Sequence, residues 1–572
     1  MNLRCLPPKR LLRKRICQNN SMFRRNSVFR LSLSAIVFLI FTEFARAADG
    51  STGSPSLEPS RAKSRDYGDA LVVGSIGDAR TLVPILASDS ASADIVGAVF
   101  NGLVKYDPNL NLVGDLAESW EVKGGCRVIV FHLRKNVRWH DGEPFTAADV
   151  EFTYRKLIDP NVRTPYSGDF ERIESFKILD DYTIKITYKE PFAPGLSSWG
   201  MPIMPKHFLE NEDLNHTDFS LHPVGTGPYK FKTWKRQEKI ELEANPDYFE
   251  HRPYIDRYIY RVIPDQATLF LELQAQGVDL TGLSPLQYVR QTNTTFFKKN
   301  YRKFRLTSFA YTYLGYNLNL PLFKDKRVRK ALNYAVDKNE IIETVFLGLA
   351  RICSGPFLPE SWAFNPEVKP APYDPQKAKE LLKEAGWTDS DRDGWLDKDG
   401  EIFEFTIITN QGNEERIKTA QIIQRRLADI GIKVKIKVLE WSVFLTEFID
   451  KRNFEAVLLG WGLGLDPDNF DIWHSCKTRP GEFNFVGYKN EEVDRLLEKA
   501  RRTCDREERK TCYQRIHEII YDEQPYMFLY IPDSLSIVHS RFQGIKPAPI
   551  GIRYNLIDWW VPKAQQKYQI KK

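Results

Sequence analysis

The segment from Phe454 to Ser475 restricts the fold of this chain more than any other part of its sequence. It begins with a short apolar run that ends at Trp461, the composition of a strand buried on both faces. Three glycines and then three acids stand at and after the end of this run: Gly460, Gly462, Gly464, Asp466, Asp468 and Asp471. In an open α/β sheet, ligands bind just beyond the carboxyl ends of the strands, and glycines let a ligand approach the backbone. The segment therefore predicts a binding site, although alone it fits a glycine-rich surface loop equally well.

The length and charge of the chain limit its number of domains and its kind of partner. A chain of 572 residues exceeds a single hydrophobic core, so we expect two or three domains. The net charge of +7 arises near the start, because residues 1–47 contain ten Lys or Arg and one Glu. The rest of the chain carries 72 basic and 74 acidic residues. We therefore expect no nucleic-acid partner, since the basic surplus does not belong to the folded part.

The N-terminal region has the pattern of an export signal. A basic stretch ends at Arg30, an apolar core covers Leu31 to Phe41, and small residues around Ala47 fit a cleavage site. A core of this length is too short to span a bilayer. We predict a signal peptide over 1–47, cleavage near Ala47, and a soluble periplasmic protein. Residues 48–66 are rich in Ser and Pro and predict a linker.

Export makes disulfides chemically accessible. Five cysteines follow the predicted cleavage site: Cys126, Cys353, Cys476, Cys504 and Cys512. Cys504 and Cys512 flank a predicted turn between two helices, in which Asp505 is the N-cap, so a disulfide between them is one interpretation. The connectivity otherwise stays open, and no spacing among the five is typical of a metal site.

An acidic loop resembles a calcium-binding EF-hand loop. Its acids at loop positions 1, 3, 5 and 9 are Asp389, Asp391, Asp393 and Asp397. Gly394 stands at position 6, as the motif requires, but position 12 is Gly400 and the acid Glu401 comes one residue late. A structural calcium ion and a solvated turn are the two interpretations, and we predict no other cofactor.

The order of strands and helices along the chain predicts an α/β fold. Phe403 to Thr409, a helix from Glu414 to Ile430, and Ile432 to Leu439 predict a βαβ unit with two parallel strands. The sequence contains no nucleotide-binding glycine loop, nucleophile elbow or zinc-ligand pattern. We therefore predict that the protein is not an enzyme.

Several sequence blocks occur in the order found in one known family. They are L-A-E-S-W-E-V, F-H-L-R-K-N-V-R-W-H-D-G-E-P-F-T-A-A-D-V, V-G-T-G-P-Y-K-F, R-V-R-K-A-L-N-Y-A-V-D-K and G-W-G-L-G-L-D-P-D. The chain, over about residues 70–560, resembles the extracytoplasmic solute-binding proteins of family 5. These are the oligopeptide-, dipeptide- and nickel-binding components of ABC importers. The resemblance implies a two-lobed periplasmic-binding-protein fold, with three domains in a discontinuous chain and a ligand cleft between the lobes.

The resemblance also implies domain limits. Lobe 1 would contain 67–97, 219–311 and 531–572. A small insert domain, 98–218, would pack on lobe 1, and lobe 2 would be 312–530.

In peptide-binding members of this family, an extended ligand adds as a strand between the lobes. The matching segments here are Asp78-Ala79-Arg80 and Gly460-Trp461-Gly462. The family's aspartate for the ligand α-amino group would fall at Gly464, and the nearest acids are Asp466 and Asp468. We predict Asp466 as the anchor because it is nearer to Trp461, with capping of the following helix as the alternative.

The resemblance implies a monomeric binding protein that captures a di- or oligopeptide and delivers it to the membrane permease of an ABC importer. A non-peptide ligand, such as a nickel chelate, haem or an oligosaccharide, is the first alternative. A peptide hydrolase is the second.

Overall fold

The computed structural model describes residues 65–568, so the predicted signal peptide and nearly all of the predicted linker lie outside the described residues. The strands are β1 (Ala70–Ser75), β2 (Val104–Tyr106), β3 (Leu112–Gly114), β4 (Ala117–Lys123), β5 (Val128–Leu133), β6 (Ile173–Asp180), β7 (Thr183–Tyr188), β8 (Tyr229–Lys235), β9 (Lys239–Ala244), β10 (Arg257–Val262), β11 (Leu280–Gly282), β12 (Tyr301–Thr307), β13 (Ala310–Tyr316), β14 (Ala350–Ile352), β15 (Asp397–Lys398), β16 (Glu401–Ile402), β17 (Glu404–Asn410), β18 (Lys433–Leu439), β19 (Ala456–Gly462) and β20 (Tyr526–His539).

The helices are α1 (Ser90–Val99), α2 (Ala147–Leu157), α3 (Ser167–Phe170), α4 (Lys206–Leu209), α5 (Gln266–Gln274), α6 (Thr295–Asn300), α7 (Pro321–Lys324), α8 (Lys326–Ala335), α9 (Lys338–Thr344), α10 (Pro375–Glu384), α11 (Glu414–Ala428), α12 (Trp441–Val443), α13 (Phe470–Trp473), α14 (Glu491–Arg501) and α15 (Arg506–Glu523). Two π-helical turns cover Gln287–Gln291 and Phe444–Ile449. Short 3-10 turns cover Pro84–Leu86, Ala193–Gly195, Ser197–Gly200, Asp218–Leu221, Leu556–Asp558 and Lys563–Gln565.

The long strand β20 connects the two halves of the main sheet. Its first residues, Tyr526 to Tyr530, pair with β13, and β19, β17 and β18 extend the sheet from there. Its last residues, Asp533 to His539, pair with β12, and β11, β1, β10, β9 and β8 complete the order. We call the half around β1 and β8–β12 the first lobe and the half around β13, β14 and β17–β19 the second lobe. The chain crosses between them at two places, from β12 to β13 and within β20.

A separate four-stranded antiparallel sheet, in the order β4-β5-β7-β6, belongs to the first lobe. Its buried side chains, such as Phe131 and Ile186, share one hydrophobic core with Leu71 and Tyr260 of β1 and β10. The second lobe has cores of its own. The domain limits that the resemblance implies stay predictions.

The predicted βαβ unit is confirmed. Strands β17 and β18 pair in parallel from Glu404 with Lys433 to Asn410 with Leu439, and α11 connects them. The apolar run before the glycines is strand β19, which is buried until Leu459, as its composition predicts.

A buried ion cluster ties the end of β20 to the start of the fold. Arg541 pairs with Asp69 and, at 2.6 Å, with Asp279, and all three side chains are almost fully buried. Its guanidinium also donates to the carbonyl of Ala70 in β1 at 3.1 Å. The cluster satisfies three charges that would be costly to bury singly.

The predicted disulfide between Cys504 and Cys512 is wrong. Cys504 instead pairs with Cys126, from the turn between β4 and β5. Asp505 does cap α15, accepting a hydrogen bond from Glu508 N at 2.8 Å. Because Cys512 lies inside α15 on its buried face, 2% exposed, it points into the core and away from the exposed Cys504. Among the described residues, no helix is long and apolar enough to cross a membrane.

Candidate ligand-binding cleft

A cavity of about 690 Å³ lies between the two lobes. The first lobe contributes side chains such as Arg80, Asp89 and Tyr166, and the second contributes Arg416 and Trp461. A volume in this range is typical of a site that encloses a small ligand. We call it the first cavity.

One edge of β19 is unpaired where it borders the first cavity. On one side β19 pairs with β13 along its whole length, from Ala456 to Gly462. On the other side it pairs with β17 only at Ala456 and Val457. No strand of the described chain pairs with that side of Gly460, Trp461 and Gly462, which all line the cavity. Their free backbone groups can accept an added strand.

Arg416, in the first turn of α11, lies at the start of this free edge. Its Nη1 donates to Asn410 Oδ1 at 2.9 Å, and no carboxylate of the described residues forms an ion pair with it. A Cβ atom on Gly460 would lie 2.9 Å from Arg416 Nη2, so the glycine lets the guanidinium rest against the strand. Burial lowers the pKa of Arg416 below its ordinary value, but an arginine remains protonated. The neighbouring Glu415 also lines the cavity, and burial raises its pKa.

Aromatic side chains from both lobes form the wall of the first cavity. The Trp461 ring lies 5.3 Å from Phe483 and 5.7 Å from Phe485, centroid to centroid. Its Nε1 donates to the Tyr526 hydroxyl at 3.3 Å, which fixes the ring. Tyr166 of the first lobe contacts Phe483 edge-on at 5.6 Å. Rigid aromatic walls of this kind offer apolar contact to varied side chains.

The other predicted segment is mostly occupied by contacts within the first lobe. Asp78 is buried and accepts from Trp234 Nε1 at 3.1 Å and Gln237 N at 2.8 Å. Ala79, also buried, has its carbonyl bound by Arg236. Among the three, the structure brings Arg80 alone to the cavity lining.

Arg80 forms an ion pair between the lobes. Its Nη1 lies 2.8 Å from Asp450 Oδ2 of the second lobe, and Nη2 donates to Ser88 Oγ at 3.1 Å. The positive charge of Arg80 therefore already has a carboxylate partner, whereas that of Arg416 has none among the described residues.

Beyond Gly462 the chain borders a second cavity, of about 1020 Å³. Asp466 lines it, but its Oδ1 lies 2.6 Å from Arg509 Nη2. Asp468 lines neither cavity and pairs with Arg501 at 2.6 Å, with its own side chain only 6% exposed. The helix-capping alternative is wrong, because the N-cap residue of α13 is Asn469. The assignment of Asp466 as an amine anchor stays a prediction, and a ligand ammonium there would compete with Arg509.

The acidic loop assembles three of its four predicted ligands. Carboxylate oxygens of Asp389, Asp391 and Asp393 lie within 4.8 Å of one another on an exposed turn. Asp397 instead accepts hydrogen bonds from the backbone N of Ser390 at 2.8 Å and from its hydroxyl. Calcium binding stays a prediction.

Sequence reasoning missed Arg416, Tyr166 and Phe483. A signal existed for Arg416, because it follows the carboxyl end of a predicted parallel strand, where ligands bind. The other two come from loops without regular patterning.

Two lobes joined by two crossing segments, with a cavity enclosed between them, define a hinged ligand-binding protein of the α/β class. The family model described as bacterial extracellular solute-binding proteins, family 5 Middle, matches residues 111–482. The chain belongs to this solute-binding protein family, which confirms the resemblance and the two-lobed fold.

Individual relatives cover most of this chain. The oligopeptide-binding protein AppA of Bacillus subtilis is 36% identical over 550 residues, 94% of this chain and 99% of that protein. Its structure in complex with a nonapeptide has a TM-score of 0.83 and covers 87% of this chain and 100% of that one. NikZ from Campylobacter jejuni in complex with Ni(L-His) has a TM-score of 0.79 at 32% identity, covering 86% and 99%. Heme-binding protein A of Haemophilus influenzae is 30% identical over 480 residues, 79% and 85% of the two chains.

Proposed function

We propose that this protein captures peptides between its lobes and delivers them to the membrane permease of an ABC importer. The observation that carries the proposal is the free edge of β19 with an unmatched Arg416 at its start. An extended peptide on this edge forms main-chain hydrogen bonds that do not depend on its side chains. Its C-terminal carboxylate supplies the countercharge that Arg416 lacks, in the fork geometry that arginine favours.

The lining of the first cavity favours a peptide over a bare nickel ion. Among the described residues no His, Cys or Met side chain lines it. Imidazole and sulfur side chains are the ones that would ligate a nickel ion directly. Haem iron can also be ligated by tyrosine, and Tyr166, Tyr311 and Tyr530 line this cavity. The relatives that bind Ni(L-His), haem and a nonapeptide share the family, so the ligand class has to be argued from the cavity itself.

The same lining supports a binding role without catalysis. A peptide hydrolase of the serine or cysteine type needs a nucleophile and a histidine within hydrogen-bond distance. The first cavity offers serines but no histidine within the described chain. We propose that the protein is exported to the periplasm and acts there as a monomer.

A thermal-shift comparison of candidate ligands tests this function. Purified protein is heated with peptide pools of two to ten residues, with nickel and histidine, with haem, and with oligosaccharides. A ligand that binds only the folded state stabilises it by about 2.7 kcal/mol at a hundredfold excess over its dissociation constant. We expect the peptide pools alone to raise the melting temperature. A shift with another ligand and none with peptides would overturn the proposal.

A further inference from the structure

The disulfide between Cys126 and Cys504 joins the two lobes covalently. Cys126 lies at the edge of the first-lobe core, in the turn between β4 and β5, and Cys504 precedes α15 of the second lobe. The two residues are 378 positions apart in sequence. It is the only disulfide of the described residues, so it adds one covalent connection to the two places where the main chain crosses.

A covalent connection between the lobes limits how the cleft opens. A hinged protein opens by rotating its lobes about their crossing segments. The disulfide holds the two Cα atoms 6.5 Å apart, and a disulfide tolerates little more than that. The lobes therefore cannot separate at this point. Because Cys504 lines the second cavity, the second cavity lies at the restrained end of the cleft.

A buried ion cluster around Arg501 strengthens the same end independently of the disulfide. Arg501, whose side chain is 1% exposed, reaches from the second lobe to Asp169 of the first lobe at 2.7 Å, and it also holds Asp468. Beside this cluster Arg502 pairs with Glu190 of the first lobe at 2.6 Å, but this pair is exposed, at 43% and 37% of the two side chains, and adds little. Separating the lobes here would leave a buried guanidinium with one partner fewer, which is costly.

The polar contacts between the lobes at the first cavity are weaker than the Arg501 cluster, and the aromatic contact of Tyr166 with Phe483 accompanies them. The ion pair of Arg80 with Asp450 is partly exposed, at 20% and 35% of the two side chains. Trp441 Nε1 meets Asp89 at 3.4 Å, and Gln237 meets Glu440 at the same distance. Partly exposed pairs contribute little to stability, so this end separates easily.

We infer that the disulfide and the Arg501 cluster clamp one end of the cleft, so that it opens only at the Arg80–Asp450 end. Ligand then enters and leaves the cleft at the first cavity, while both lobes continue to enclose the second cavity. This inference concerns the motion of the lobes and does not depend on the ligand being a peptide.

Reduction releases the covalent part of the clamp. A dithiol such as dithiothreitol donates two electrons to the S–S bond and is itself oxidised to a cyclic disulfide. Its two protons go to the sulfurs of Cys126 and Cys504, which become thiols. Cys504 is exposed, so the reductant can reach it.

Hydrogen exchange read out by mass spectrometry tests the inference on ligand-free protein. In the oxidised protein, we expect fast exchange in residues 440–450 at the free end and slow exchange in 466–470 and 501–504 at the clamped end. Reduction should speed exchange at the clamped end by about tenfold or more and leave the free end unchanged. Small-angle scattering should show a larger radius of gyration after reduction.

Cys504→Ser and Cys126→Ser should each reproduce the reduced state, because either one removes the bond. Reduced wild-type protein gives the same information where a variant does not fold. Equal exchange at both ends of the oxidised protein, or exchange and radius unchanged by reduction, would overturn the clamp. So would free thiols at Cys126 and Cys504 in protein purified from an oxidising compartment.

Discussion

Replacing Arg416 by glutamine should weaken the binding of a peptide with a free carboxylate. Asn410 already occupies Nη1, so Nη2 and Nε remain for the ligand in a half-buried position. Charge-assisted hydrogen bonds and the penalty for an unmatched ligand carboxylate together suggest a loss of about 2–3 kcal/mol. That corresponds to about 30- to 150-fold in dissociation constant.

Titration calorimetry with a free and a C-terminally amidated peptide isolates this contact. Amidation should weaken binding to wild type by a similar factor and have little effect on Arg416→Gln. Arg80→Gln is the matched control, because Arg80 lines the same cavity but is paired with Asp450. In Arg80→Gln, amidation of the peptide should still weaken binding, as it does in wild type. If amidation costs the same in wild type and in Arg416→Gln, the carboxylate binds elsewhere and the reasoning fails.

Three further predictions concern the stability of the fold. In urea unfolding, Gly460→Ala should destabilise the protein by about 1–3 kcal/mol, because its Cβ would lie 2.9 Å from a backbone oxygen. Gly462→Ala is the control and should be nearly neutral, because nothing lies within 4 Å of its Cβ. Arg541→Met should cost about 3–5 kcal/mol in the same assay, since it removes the guanidinium that pairs with two buried aspartates, and a loss below 1 kcal/mol would contradict that role. Burial lowers the pKa of His517 to about 4. As the pH falls, the unfolded state therefore binds a proton before the folded state does. The contribution of His517 to the free energy of unfolding is present above about pH 6.5 and is lost as the pH falls toward 4. His517→Gln should show a shallower decline of melting temperature over that range, and an identical decline would refute the assignment.

Local patterns predicted the frame of the cleft. The apolar run before Gly460 is typical of a buried strand, and the parallel pairing of β17 and β18 followed from the helix between them. Both depend on residues close in sequence, so periodicity and connection rules suffice. The lining by Gly460, Trp461 and Gly462 agrees with the position of a strand's carboxyl end.

The partners of charged groups and thiols that lie far apart in the sequence could not be predicted from the sequence. Asp466 has its guanidinium partner on α15, 43 positions later, and Asp78 is held by Trp234, 156 positions later. The partner of Cys504 is 378 positions away, whereas the nearer Cys512 points into a core. A sequence shows which groups need a partner, but only the packed lobes decide which partner each one meets.

The mass of the ligand that the protein carries tests its central function most directly. Protein purified from its native host without refolding is weighed by native mass spectrometry, then denatured, and the released small molecules are identified. We expect a mixture of peptides that share a free carboxylate and differ in side chains, since the free edge of β19 binds main-chain groups. A single non-peptide ligand, such as a metal chelate, haem or a sugar, would contradict the proposed function.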